Sequence, residues 1–153
     1  MSDNLAPYRE DFFLLLEAGF IAMNHADEDS AIKLLKTCEM LDPDNLLTKV
    51  GFGYLHLLKL ELKQARTHFE EILRADPDNE MATAFLGITL SLTPDEVVEG
   101  EIILDKTVET TSDPQIKKVA ATAIDFVENY VKRPGKAPGP AEVPQKPKPK
   151  RTS

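Results

Sequence analysis

The chain has 153 residues, a net charge of −8 and a single cysteine, Cys38; it is long enough to bury a core without disulfides, and a thiol with no internal partner fits a reducing compartment. Its longest nearly unbroken apolar stretch, Phe12 to Met23, spans about 18 Å as a helix against roughly 30 Å of bilayer hydrocarbon, which argues against membrane insertion. From Arg133 onward six Lys/Arg face one acid, so the rest of the chain carries 12 basic and 25 acidic side chains, a poor surface for nucleic acid, whose binding depends on neutralising phosphate.

The opening MSDNLAPYRED has no basic leader followed by a small-residue cleavage site, so no export signal is predicted and the expected location is cytoplasmic. The first helix is expected to open near Pro7 and run to Asn24. HADED then makes a turn in which Asp27 caps a second helix, Glu28 to Leu41. LDPDN at 41–45 closes that helix: Pro43 lacks a backbone N–H and biases Asp42 away from helix, while Asp44 or Asn45 caps the next. The turn returns as ADPDN at 75–79, which sets Pro43 and Pro77 at a 34-residue interval. Helices are predicted near 46–59 and 62–75, and Asp78 or Asn79 opens a fifth. Gly19, Gly53 and Gly87 keep the same interval, as do Ala31 and Ala65, and Leu35 with Phe69. Such an interval marks a repeated helix-turn-helix unit.

The third unit drifts. Glu99 stands where an alanine is due, and the next Asp-Pro, Asp113-Pro114, comes three positions later than the interval from Pro77 requires. A three-residue insertion at SLTPDE accounts for this, with Thr93, Pro94 and Glu96 read as a capping-box helix start. A final helix, Pro114 to about Lys132, aligns Ile116, Val119, Ala120, Ala123, Ile124 and Val127 and serves as a cap. The expected fold is an all-α solenoid within residues 1–132: repeats at about 12–45, 46–79 and 80–113, then a capping helix at 114–132. Residues 133–153 hold six prolines and no aromatic residue; they bury too little to offset ordering and are read as a disordered basic tail, a soluble spacer or tether.

The first helix of each unit is apolar on nearly every side. FFLLLEAGFIAM at 12–23 has one polar residue, Glu17. The second helices are amphipathic: LKQARTHFEEILRA turns Ala65, Phe69, Ile72 and Leu73 inward. With Ala18, Gly19, Ala22, Phe52, Gly53, Leu86 and Gly87 as the packing side, the opposite stripe reads Phe13, Leu16, Phe20, Met23, then Leu47, Val50, Tyr54, Leu57, then Met81, Ala84, Ile88, Ser91. All but Ser91 are apolar or aromatic, and those eleven are the candidate client-binding groove. An inserted helix or extended segment would cover them, at roughly 1.5–3 kcal/mol per large side chain buried. A tightly wound core or a self-dimer would instead keep the same residues internal.

Chemistry-bearing patterns are absent from the sequence. His25, His56 and His68 are scattered, with no partner at metal-ligand spacing. Cys38 falls on the inner side of an amphipathic helix, where a small, soft side chain packs. There is no phosphate-binding Gly-rich loop, nucleophile elbow or HExxH. No catalytic residue, metal or cofactor is predicted.

The landmarks together resemble the tetratricopeptide-repeat (TPR) fold over about residues 8–132. One subclass of that fold clamps a chaperone's C-terminal carboxylate with Lys and Asn; here Leu16, Phe20, Tyr54, Met81 and Phe85 occupy the corresponding region. LLEAGFIAMNHADEDSAIKLL (14–35) and TSDPQIKKVAATAIDFVENYVK (111–132) are similar to the small TPR chaperones of bacterial type III secretion, in particular those guarding the needle subunit. The resemblance implies a cytoplasmic, non-enzymatic protein whose groove holds the amphipathic C-terminal helix of a needle protein, with a small helical co-chaperone as a further partner. A chaperone of the translocator class, also built from three such repeats, and a TPR scaffold acting by self-association are the alternatives. The basic tail and the regularity of the first two repeats depart from the needle-chaperone pattern.

Overall fold

The computed structural model describes residues 3–133; apart from Arg133, the predicted tail lies outside them. Among the described residues there are seven α-helices and no strand: α1 Phe12–Asn24, α2 Glu28–Leu41, α3 Leu46–Leu58, α4 Leu62–Ala75, α5 Glu80–Ser91, α6 Val97–Thr110 and α7 Pro114–Phe126. A 3-10 segment, Asp3–Asp11, precedes α1 and contains Pro7. The α-helix therefore opens at Phe12, not near Pro7. The preceding stretch sends Leu5 against the core but has no apolar stripe to hold a full helix on it. After α7 the chain widens into a π turn, Val127–Val131, with Lys132 N donating to Val127 O.

Helices pair as antiparallel neighbours, α1 with α2, α3 with α4 and α5 with α6. The pairs join through α2 against α3 and α4 against α5, while α7 packs on both α5 and α6. Along one side α1 meets α3, α3 meets α5 and α5 meets α7.

Local chemistry sets these boundaries. In both DPDN turns the Asn is the cap: Asn45 Oδ1 accepts from Leu47 N at 3.0 Å and Asn79 Oδ1 from Ala82 N at 2.9 Å. The same amides reach back, Asn45 Nδ2 donating to Asp42 Oδ2 at 3.0 Å and Asn79 Nδ2 to Asp76 Oδ2 at 3.2 Å. One side chain thus ends one helix and starts the next. Asp113 caps α7 by accepting from Gln115 N at 2.8 Å, with Pro114 in the first helical turn.

Asn45, Asn79 and Asp113 keep the 34-residue interval. This corrects the expected three-residue insertion. Pro114 follows its cap, whereas Pro77 precedes its own, so the two prolines are not equivalent. The capping-box start at Thr93 is also overturned: Thr93 Oγ1 donates to Thr89 O at 2.8 Å, Asp95 adopts φ 68°, and α6 begins at Val97. The inner turn gains a net single residue, which puts Gly100 and Leu104 where the 34-residue interval pointed to Glu99 and Ile103. Outer-layer residues then recur as Ala31, Ala65 and Gly100, and as Leu35, Phe69 and Leu104, all buried.

Close helix approach explains Gly53 and Gly87 but not Gly19, where a Cβ would meet Leu35 Cδ2 at an ordinary 3.5 Å. A Cβ at Gly53 would lie 2.7 Å from Phe69 Cε1, and one at Gly87 3.0 Å from Leu104 Cδ2. The core divides into two clusters, one around Phe12, Leu16, Leu35 and Cys38, the other around Val50, Phe69, Ile72 and Ala82. Cys38 is fully buried, and desolvation raises its thiol pKa, so it is a packing residue and a poor nucleophile.

Candidate functional site: an apolar cavity between α1, α3, α5 and α7

An open cavity of about 980 Å³ lies along the side formed by α1, α3 and α5 and is walled by α7. Six of the eleven predicted groove residues line it: Phe20, Leu47, Tyr54, Leu57, Met81 and Ile88. Phe85 joins them from α5. The floor is an aromatic ladder that crosses three helices. Phe20 and Tyr54 have ring centroids 5.8 Å apart, Tyr54 and Phe85 5.2 Å, and Phe85 continues to buried Phe69 at 5.6 Å. Offset aromatic pairs at this separation hold their helices in register. Tyr54 stands at the centre, its hydroxyl donating to Asn24 Oδ1 at 3.0 Å, and burial raises its pKa.

The other five lie elsewhere. Leu16 and Met23 belong to the first core cluster and Val50 to the second, all closed to solvent. Ala84 is buried beside a smaller cavity against Ile116 and Val119. Steps of three, four and three along the chain spread over an arc of about 80° on a helix. One edge of the stripe faces the cavity and the other tucks into the core. Phe13 is 67% exposed, pairs edge-on with Phe12, and is not among the cavity-lining residues.

The α7 wall goes beyond the capping role expected of it. Val119, Ala123 and Phe126 face the cavity with Gln115, Lys118 and Thr122, the buried Val127 closes its edge, and Ala120 is buried outside it. The register could have found them, because Gln115, Lys118 and Thr122 repeat Met81, Ala84 and Ile88 at the 34-residue interval. Matching Pro114 to Pro77 hid that relation. The α7 end is fastened to α6 by Lys132, whose Nζ lies 2.6 Å from Glu101 Oε1 and 2.8 Å from Glu128 Oε1.

Two of the histidines are not scattered. The His56 and His68 rings stack at 5.1 Å, and His56 Nδ1 lies 2.5 Å from Glu61 Oε2. His56 first, then Lys59, holds the Glu61 carboxyl below its ordinary value. Burial, then neighbouring His56, lowers the pKa of His68. Among the described residues no group of three or more His, Cys, Asp or Glu is arranged to hold a metal, and no helix is long and apolar enough to cross a membrane. The cavity lining is predominantly apolar. No family model, curated protein or solved structure matches the chain.

Proposed function

We propose that this chain is a cytoplasmic type III secretion chaperone, built as a TPR-like solenoid, that shields a helical, self-polymerising secretion subunit until export. The needle protein is the favoured client, and a translocator of the same system is the nearest variant. The carrying observation is the open cavity in which Phe20, Tyr54 and Ile88, at one 34-residue register, meet Phe126 across the groove. Apolar surface of this extent, left uncovered, is a docking site or an aggregation hazard. An amphipathic helix laid into it would bury both its own apolar side and the groove's. The mechanism is occlusion and needs no bond chemistry. A small helical co-chaperone remains part of this proposal.

The test is co-purification of the full chain, co-expressed with the short helical secretion subunits of its own genome. Tyr54→Glu and Ile88→Glu should each abolish recovery of the client with far-UV circular dichroism unchanged, and Phe13→Glu, outside the cavity, should retain it. Undiminished recovery with Tyr54→Glu contradicts the assignment. Leu16 is unsuited to this test because it is buried, and a charge there would disrupt the core.

Self-association through α1 is a second reading, favoured by one observation. Leu14 and Ile21 are 66% and 53% exposed, yet Thr48 and Leu55, their counterparts in the next repeat, are buried. Sedimentation of the isolated protein as a monomer at micromolar concentration would eliminate it.

A further inference from the structure

The groove changes character at its fourth helix. Along α1, α3 and α5 the cavity-facing side chains are almost all apolar, whereas α7 presents Gln115, Lys118 and Thr122 beside Val119, Ala123 and Phe126. The chain carries 26 Asp/Glu against 18 Lys/Arg, yet among the described residues no carboxylate lines the cavity and Lys118 is the one charged residue that does. Among those residues, too, Lys118 has no ion-pair partner. Three further polar side chains of the lining can donate, the Gln115 amide, the Thr122 hydroxyl and the Asn24 amide, whose Oδ1 already accepts from Tyr54, while the Ser91 hydroxyl is taken up donating to Gly87 O at 2.8 Å. Among the described residues the main cavity of this acidic chain is thus lined by a lone cation and no acid, with Asp113 beside the adjoining smaller cavity.

Resting on the groove reading above, we propose that the occupant is an amphipathic helix carrying an acidic side chain at the border of its apolar face, and that Lys118 is the residue that selects it. The apolar face lies on the aromatic ladder. The acid at its border meets Lys118, which fixes the direction and register of the helix, since an apolar stripe alone accepts a helix in either direction. Charge pairs of this kind contribute more to specificity than to affinity.

The probes are fluorescein-labelled 18-residue synthetic helices with a Leu/Ala face and a neutral Gln face, differing only in whether Glu or Lys occupies the border positions. Fluorescence anisotropy with the full chain at 0.15 M salt should show the Glu helix binding about two- to fivefold more tightly, the span expected of a partly exposed ion pair. Lys118→Gln should remove the preference and Lys118→Glu reverse it, while 1 M salt should erase it in the unaltered chain. Equal affinity for the two helices, or a preference unchanged in Lys118→Glu, overturns the role of Lys118 and leaves the groove standing, provided that Ile88→Glu weakens both helices. Binding of neither helix, or binding indifferent to Ile88→Glu, overturns the groove reading and this inference with it.

Discussion

The α3–α4 and α5–α6 hairpins follow one plan and differ by a net single residue. In the first, the inner turn is Lys59–Glu61, Ala65 is buried, and Phe69 closes over Gly53. In the second, the turn runs from Leu92 to Glu96, Gly100 takes the alanine's place, and Leu104 closes over Gly87. A shorter outer turn before α7 restores the interval, so the helices that face the cavity keep their 34-residue register while α6 shifts. Drift is absorbed on the side away from the groove. Continuity of the lining from Met81 and Ile88 to Gln115 and Thr122 depends on that absorption.

Breaking the difference directly means adding a methyl group where only the second hairpin lacks one. A Cβ at Gly100 would run into the backbone N and side chain of Ser91 and the carbonyl of Gly87. Gly100→Ala should therefore cost about 1–3 kcal/mol in urea unfolding, against the usual gain for Gly→Ala in a helix. Ala65→Gly, the reverse exchange in the first hairpin, should cost only about 0.5–1 kcal/mol. A stabilising Gly100→Ala would show that α6 does not approach α5 as described.

The caps should respond alike, since Asn45, Asn79 and Asp113 do the same work at three turns. Replacing each with Ala should cost about 1 kcal/mol, measured as the shift in denaturation midpoint. An Asp113→Ala variant as stable as the unaltered protein would separate α7 from the register of the other two.

A smaller effect is expected at the inner turns, where Ala26, Leu60 and Asp95 hold φ of 58°, 57° and 68°. Left-handed backbone is costly for Leu and Ala and tolerated by Asp. Leu60→Gly and Ala26→Gly should each gain roughly 0.5–1 kcal/mol, with Asp95→Gly gaining least.

The α3–α4 hairpin also carries a pH dependence. His68 has its pKa lowered from 6.5, by burial first and by His56 second. Its folded pKa lies below the unfolded one, so its contribution is fully present above pH 6.5 and is lost as pH falls through the folded value. Glu61, held low by His56 and Lys59, loses its contribution further down, below the ordinary carboxylate value of 4.5. His68→Gln should flatten stability between pH 7 and 5 in thermal melts. An unchanged slope would remove His68 from the account.

Much of this was legible in the sequence because it is written in local chemistry. Helix α2 begins after Asp27 and helices α3 and α5 begin after Asn45 and Asn79, as short polar side chains ahead of apolar runs foretell. Turn chemistry in the third unit misled, because an Asp-Pro pair serves equally as a mid-turn break and as a cap followed by a first-turn proline. The cavity was half visible. Periodicity places Phe20, Tyr54 and Ile88 on one stripe, but it cannot say which edge of an all-apolar helix is open. That depends on neighbours, and it put Val50 and Leu16 in the core. The α7 wall needed the register that the proline had disguised.

Hydrogen–deuterium exchange of the full chain with and without its co-purified client would locate the surface that the client covers. New protection is expected in α3, α5 and α7 along the side bearing Tyr54, Ile88 and Val119, with α2, α4 and α6 unchanged. Protection confined to α2, α4 and α6, or to the outer side of α1 around Leu14 and Ile21, would contradict the groove assignment.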